Sequence, residues 1–245
     1  MVDIDKEIAL SESPWRFIEQ RDYKRATEAY THAILEVPLR APHYANRAFA
    51  YLGMCDYKAA AQDWADFTRL RPESASGYKG LGVSLWCMRS TEAAVETWKQ
   101  GLRMPYTDAA GGVQLPGLLL YAALRVDNLL LKKEAWQLLR RHARRKLTIW
   151  PGPIVPYLLG KLSQETLQAI LEVAAKAPVL RERFQCQATF YHGVRGLNEG
   201  KQEIFQQAMR ACMESSYGYF EFEYYLASWE VENQFPVISN ESSVS

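Results

Sequence analysis

Residues 41–72 read APHYANRAFAYLGMCDYKAAAQDWADFTRLRP, and this stretch decides the fold because its pattern recurs along the chain. Small residues and aromatic residues each return in steps of 34. The small positions are Ala26, Ala60 and Ala94, and the aromatic positions are Tyr30, Trp64 and Trp98. Two antiparallel helices approach closely only where side chains are small, and bulky neighbours fill the space around the contact. The period therefore predicts three helix–turn–helix units in residues 1–108.

Proline follows the same step at Pro38 and Pro72, where each unit ends. A 34-residue period with small, aromatic and proline positions in this order resembles the tetratricopeptide repeat (TPR). The resemblance implies an all-α fold, a TPR-like helical-repeat superhelix (an alpha-alpha solenoid), that binds a protein partner.

Beyond the third unit the 34-residue step is lost, but helical patterns continue. Residues 109–235 are predicted to form degenerate TPR-like helical pairs packed as a continuation of the repeats. They include an apolar helix at 113–126 and a strongly basic, amphipathic helix at 131–147. The polar, serine-containing stretch 236–245 is predicted to be a disordered tail.

Two stretches of this second half carry another resemblance. Residues 150–163 read WPGPIVPYLLGKLS, and residues 186–212 read CQATFYHGVRGLNEGKQEIFQQAMRAC. They are similar to the back half of NlpI-like bacterial TPR proteins, which implies an adaptor that brings a client to an enzyme. NlpI-like proteins carry a secretion signal, whereas the N-terminus here is acidic and has no long apolar run, so we expect a cytoplasmic protein.

Composition and motifs argue against several classes of function. The formal net charge is +1, so no overall charge favours nucleic acid or a membrane surface. The four cysteines are widely spaced without a CxxC pair, so we expect buried, reduced thiols and neither a zinc site nor disulfides. The motifs HExxH, GxSxG, GxGxxG and the P-loop do not occur. We therefore expect no enzyme activity, cofactor, metal or small-molecule substrate.

A partner-binding groove is predicted on the first helices of the repeats. Its outward positions are Trp15, Asn46, Phe49, Lys79 and Val83. Asn46 matches the clamp asparagine of TPR domains that grip chaperone C-terminal carboxylates. The remaining clamp positions are Ile8, Glu12, Ser76 and Gly80, which lack the converging donors and positive charge that a carboxylate needs. A clamp is therefore rejected, and Asn46 has a hydrogen bond between helices as its alternative role. Trp15 and Phe49 serve either groove contact or packing.

A second candidate site is the basic patch on the helix at 131–147. Its members are Arg140, Arg141, Arg144 and Arg145. Their spacing places them on two adjacent stripes of a helix. The patch is either a solvated helix C-terminus, where the helix dipole favours cations, or a site for an acidic protein or RNA. Nucleic acid is the weaker option because no aromatic residues interleave with the arginines.

A third candidate, the acidic-aromatic face, lies near the C-terminus, where residues 214–245 contain no lysine or arginine. Its members are Glu221, Glu223, Tyr224, Trp229 and Glu230. The aromatics either cap the core at the end of the repeats or form an interface for a basic partner, because Tyr and Trp are favoured at interface cores.

These features support three hypotheses of function. In the main one, the chain is a non-catalytic bacterial immunity protein that binds a toxin domain as its one protein partner and neutralises it by occlusion. In the alternative, it is a cytoplasmic adaptor or chaperone-like scaffold that brings a protein client to an enzyme. RNA binding through the basic helix is the third.

Overall fold

The computed structural model describes residues 14–105, 110, 112–143 and 148–235, and throughout those residues the regular elements are helical. The chain divides into two compact units, residues 1–106 and 107–245. The predicted all-α helical-repeat fold is confirmed. The predicted tail, 236–245, lies outside the described residues.

Within the described residues of the first unit there are six helices, and each packs on the next along the chain. They are α1 (Trp15–Glu19), α2 (Tyr23–Glu36), α3 (Ala41–Gly53), α4 (Tyr57–Leu70), α5 (Ala75–Cys87) and α6 (Thr91–Gly101). The small and aromatic positions of the 34-residue step are all buried in this unit. The period therefore marks the contacts between paired helices, as predicted.

The turn inside each repeat has one backbone conformation. Its left-handed residues are Arg21, Cys55 and Arg89, again 34 apart, with φ of 56°, 58° and 64°. The following N–H donates to the carbonyl five residues back, at 2.8–2.9 Å, which satisfies a carbonyl at the end of the first helix. Cys55 is exposed in its turn, so the expectation of buried thiols is wrong for this cysteine and confirmed for the other three.

Repeats are joined by a second recurring contact. The hydroxyl of Tyr44 donates to the carbonyl of Pro38 at 3.0 Å, and that of Tyr78 donates to the carbonyl of Pro72 at 3.3 Å. These tyrosines thus fix the chain where proline has ended a unit.

Helix α5 is enclosed by large rings. A Cβ atom added at Gly80 would lie 2.2 Å from the Trp64 ring, and one added at Gly82 would lie 2.2 Å from the Trp98 ring. Trp86 stacks on Trp98, with ring centroids 5.9 Å apart. Nine of the 13 residues of α5 are buried, as expected for a helix covered on more than one side.

Over residues 112–143 and 148–235, the second unit has seven helices and one short 3-10 turn. They are α7 (Gln114–Arg125), α8 (Leu129–His142), α9 (Ile154–Leu158), α10 (Gln164–Ala174), α11 (Pro178–Asn198), α12 (Gln202–Met213) and α13 (Phe222–Glu232), with the 3-10 turn at Gly218–Phe220. Helices α11 and α12 form its most extensive pair, and α13 packs on both. The predicted apolar and basic helices correspond to α7 and α8.

The TPR-type turn recurs in the second unit without the 34-residue step. Asp127 and Gly200 are left-handed, with φ of 47° and 74°. The next N–H in each case donates to the carbonyl five residues back, at 2.9 Å. The pairs α7–α8 and α11–α12 are therefore built like the pairs of the first unit. No helix among the described residues is long and apolar enough to cross a bilayer.

Candidate partner-binding surfaces

The five predicted groove residues lie on the first helices of the repeats, and we call the surface there the first-helix face. Three of the five reach the surface. Trp15, Asn46 and Phe49 are half-buried. Lys79 and Val83 are only 7% and 0% exposed. Their prediction as accessible groove residues is wrong, because α5 is enclosed by its neighbours.

Asn46 ties two helices together. Its Nδ2 donates to the hydroxyl oxygen of Tyr30 at 3.0 Å, so the hydrogen bond between helices is confirmed. Burial raises the pKa of Tyr30 to about 12, against the opposing effect of this hydrogen bond. Phe49, three residues along the same helix, packs edge-on against Trp64 with centroids 5.2 Å apart. Both side chains are thus held by the core while part of each reaches the surface.

The absence of a basic residue at the clamp position Gly80 has a steric cause. A Cβ atom there would lie 2.2 Å from the Trp64 ring, so a lysine or arginine has no room. The packing of the repeat therefore agrees with the rejection of a carboxylate clamp.

A largely buried ion pair connects helices α2, α3 and α4. Arg47 donates from Nε and Nη2 to the two oxygens of Asp63, at 2.8 and 2.7 Å, and from Nη1 to the Thr31 hydroxyl at 2.9 Å. Such a bidentate pair fixes geometry as well as adding energy. Sequence reasoning missed it, although the signal exists: Thr31, Arg47 and Asp63 are 16 residues apart, the same step that links Tyr30 to Asn46.

The basic patch lies at the C-terminal end of α8. Arg140 and Arg141 are exposed, while Leu131, Ala135 and Leu139 bury the opposite stripe. Arg144 and Arg145 lie outside the described residues. Exposure suits a solvated helix end and an anion-binding patch equally, so partner binding here stays a prediction.

The residues predicted to form the acidic-aromatic face do not form an exposed surface. Glu223 and Glu230 are fully buried, Trp229 is 2% exposed and Glu221 is 8% exposed, while Tyr224 alone of the five predicted residues is half-buried. The prediction of an exposed interface is therefore wrong for four of these residues. The physical reason is that each carboxylate has partners inside the unit.

Glu230 accepts three hydrogen bonds across the core. They come from the Tyr121 hydroxyl at 2.6 Å and from Nε and Nη2 of Arg125 at 2.5 and 2.9 Å. The guanidinium also lies over the Phe205 ring, 5.5 Å from its centroid. This contact joins α7 to α13, which are more than 100 residues apart.

Glu221 and Glu223 belong to a second buried network around Gln187. The Gln187 amide donates to Glu221 at 2.8 Å and accepts from Nε1 of Trp150 at 2.6 Å. Arg183 donates to Glu221 at 2.6 Å, and the Tyr191 hydroxyl donates to Glu223 at 3.1 Å. Buried polar networks of this kind specify one packing arrangement when their members are satisfied.

A cleft that the sequence did not predict opens between α10, α11 and α12. It has a volume of about 500 Å³ and is lined by twelve residues, chiefly glutamine, alanine and other uncharged side chains. Within its lining, the hydroxyl of Tyr157 and Nδ1 of His192 are 2.7 Å apart. Burial, helped by Arg195, lowers the pKa of His192, so the imidazole is neutral near pH 7.

A smaller recess of about 220 Å³ continues this cleft at one end. It shares Tyr157 and His192 and adds the charged residues Arg195, Glu199 and Lys201. Across the described residues, no three His, Cys, Asp or Glu side chains are grouped to hold a metal ion.

Comparison with known proteins finds TPR proteins over about a third of the chain. Small glutamine-rich tetratricopeptide repeat-containing protein 2 of Saccharomyces cerevisiae is 34% identical over 82 residues, 34% of this chain and 24% of that protein. Hsp70-Hsp90 organizing protein 1 of Glycine max is 32% identical over 85 residues, 35% of this chain and 15% of that protein. The SGT1 homolog of Bos taurus is 28% identical over 90 residues, 37% of this chain and 27% of that protein.

The chain thus spans well under a third of the length of these relatives. No family model matches it. A solved structure, Naa15/Naa10 bound to HypK-THB, matches 94% of this chain and 35% of its own at 14% identity, with a TM-score of 0.43. The comparisons do not support the similarity to NlpI-like proteins or a bacterial assignment. The repeat register and the turn geometry give the first unit TPR-like helix pairs, and the chain is similar to TPR proteins over about a third of its length.

Proposed function

We propose that this protein is a non-catalytic, cytoplasmic adaptor of the co-chaperone type, which binds a segment of a protein partner on the first-helix face of its TPR unit. The observation that carries the proposal is the similarity of the chain to TPR proteins that include Hsp70-Hsp90 organizing protein 1. Trp15, Asn46 and Phe49 are the contact residues.

The first-helix face suits binding because its large side chains are held in place before a partner arrives. Asn46 is fixed by Tyr30, and Phe49 is fixed by Trp64. Side chains that are ordered in the free protein lose little conformational entropy on binding. Aromatic residues are also enriched at the energetic centres of protein interfaces.

The partner segment is internal to its own chain in this proposal. A C-terminal carboxylate would need the basic residues that Gly80 and Ser76 replace. The adaptor therefore differs in its mode of recognition from a carboxylate-clamp TPR domain.

The immunity-protein hypothesis is not carried forward. The comparisons support neither a toxin partner nor a bacterial protein. Its physical basis, an exposed acidic-aromatic decoy, is removed by the burial of Glu221, Glu223 and Glu230. For the basic patch, no observation favours RNA over an acidic protein.

The test measures binding of purified Hsp70 and Hsp90 to the immobilised full chain by biolayer interferometry. Ala45, half-exposed on α3 and four residues before Phe49, is changed to arginine to block the face. Ala65→Arg on the second helix α4 is the matched control, because Ala65 is equally half-exposed. We expect binding of at least one chaperone that Ala45→Arg weakens tenfold or more and Ala65→Arg leaves unchanged.

Removing the last five residues of the chaperone should leave binding intact, since the proposed mode of recognition does not use a carboxylate clamp. Two outcomes would contradict the proposal: neither chaperone binds, or binding is equally insensitive to both arginine variants. Circular dichroism of each variant checks that the repeats remain folded.

A further inference from the structure

The cleft between α10, α11 and α12 is lined in part by small side chains. Ala188 lies on α11, and Ala208 and Ala211 lie on α12, while Leu167 and Ile204 add apolar surface. Small residues allow the main chain of a ligand to approach closely. The volume of about 500 Å³ falls within the usual range of roughly 300–1,000 Å³ for ligand pockets.

Amide side chains from three helices also line the cleft. Gln164 and Gln168 lie on α10, Gln185 on α11 and Gln207 on α12. Hydrogen bonds orient two of them: Gln168 donates to Glu172 at 3.0 Å, and Gln185 donates to Thr189 at 3.2 Å. A glutamine amide carries both an N–H donor and a carbonyl acceptor, the same pair that a peptide group presents. The four amides therefore match the main chain of an extended peptide.

The cleft selects by charge as well. None of its twelve lining residues is Asp, Glu, Lys or Arg. A charged ligand group placed there would lose part of its hydration without gaining a counter-charge from the lining, which is unfavourable. The segment that fits the cleft itself is therefore uncharged.

The adjoining recess, unlike the cleft, is lined by charged residues. Glu199 pairs with both Arg195, at 3.0 Å, and Lys201, at 2.6 Å. The two cations and one carboxylate that line the recess give its lining one net positive charge. Arg195 is further held by the Tyr157 and Leu162 carbonyls at 3.3 Å, so the positive charge has a fixed position.

We propose that this cleft is a second binding site for an extended peptide segment of a partner protein, whose residues inside the cleft are uncharged and whose single carboxylate side chain lies in the adjoining recess at the Lys201 end. The site lies wholly within the second unit and does not rest on the function proposed for the first. A chain with both sites would hold two segments at once, which raises the effective concentration of the second after the first has bound.

The experiment pans a phage-displayed library of random 12-residue peptides on the immobilised full chain. Phage that also bind the Ala211→Arg variant are discarded, and enriched sequences are synthesised and measured by fluorescence anisotropy. Ala211 is exposed, so arginine at this position fills the cleft without entering the core. Ala174→Arg is the control, because Ala174 is an exposed α10 residue outside the lining.

We expect enriched peptides that bind the wild-type chain and the Ala174→Arg variant equally, and the Ala211→Arg variant at least tenfold more weakly. The double change Gln164→Ala and Gln207→Ala should also weaken binding tenfold, whereas Gln202→Ala, an exposed α12 glutamine outside the cleft, should not. Replacing the single acidic residue of the peptide by glutamine should reduce affinity, and Lys201→Gln should do the same.

Several results would overturn the proposal. They are a library that yields no cleft-dependent peptide, enriched sequences with the i, i+3, i+4 apolar pattern of an amphipathic helix, or binding that survives the double glutamine change. Sensitivity of the same peptides to Ala45→Arg would place them on the first unit and would likewise overturn it. The glutamine variants keep the test decisive if Ala211→Arg lowers the stability of the chain.

Discussion

Replacing Glu230 by glutamine tests the role of the buried ion pair between α7 and α13. Glu230 is fully buried, and the Arg125 side chain is 8% exposed. Glutamine has nearly the same shape, but it leaves the guanidinium buried without a counter-charge. Breaking a buried pair in this way typically costs about 3–5 kcal/mol. Because the net stability of a domain is roughly 5–15 kcal/mol, the change should lower the unfolding midpoint strongly.

The control applies the same chemical change to an exposed pair. Glu172 pairs with Arg181 at 3.0 Å, and both side chains are about half-exposed. Exposed pairs contribute roughly 0–1 kcal/mol, so Glu172→Gln should have little effect. The double change Arg125→Met and Glu230→Gln removes both charges, and we expect it to recover much of the loss, since apolar replacements of whole buried pairs are often neutral.

Urea unfolding at pH 7 measures these effects, followed by far-UV circular dichroism and by tryptophan fluorescence. Agreement of the two probes establishes that one transition is being measured. The reasoning is refuted if Glu230→Gln and Glu172→Gln lower the free energy of unfolding by the same amount. It is refuted equally if the double variant is no more stable than Glu230→Gln, because the two residues would then be uncoupled.

Three further experiments test other parts of the structure. Gly80→Ala should lower stability by about 1–3 kcal/mol in urea unfolding, because the new methyl group meets the Trp64 ring, although alanine is the better helix former. The pKa of His192 is lowered in the folded state, so its contribution to stability is present above its ordinary value of 6.5 and is lost as pH falls below it. His192→Gln should therefore reduce the drop in urea midpoint between about pH 7.5 and 5.5. In native protein, a thiol reagent should label Cys55 rapidly and the three buried cysteines only after unfolding.

The first unit was readily predictable because its determinants repeat. One step of 34 residues identified the buried alanines, the aromatic rings beside them and the prolines that end the units. The left-handed turn positions follow the same step, but they could not be recognised as such. Arg21, Cys55 and Arg89 occupy a conformation for which glycine is the usual signal.

Surface exposure was harder to predict than helix position. Lys79 and Val83 occupy first-helix positions that an isolated repeat would expose, yet α5 is enclosed. The glutamine-lined cleft was missed for a related reason. It is formed where three consecutive helices, α10, α11 and α12, pack together, and each of its glutamines alone is an ordinary surface residue.

The buried glutamates of α13 were predicted to lie on an exposed binding face, although elementary physical chemistry favours their burial. Residues 219–231 are rich in aromatic side chains on every side, and a helix that is apolar all round is a buried helix. A carboxylate inside such a helix must find a cation or a set of donors, because an unpaired buried charge is too costly. The predicted apolar helix at 113–126 contains one charged residue, Arg125, which faces the same constraint. A lone arginine in one apolar helix and a glutamate in another each require a partner, and an ion pair joins Arg125 to Glu230. The residues that surround a charged side chain in the sequence, and not the charge alone, therefore indicate whether that side chain lies on a binding surface or in the core.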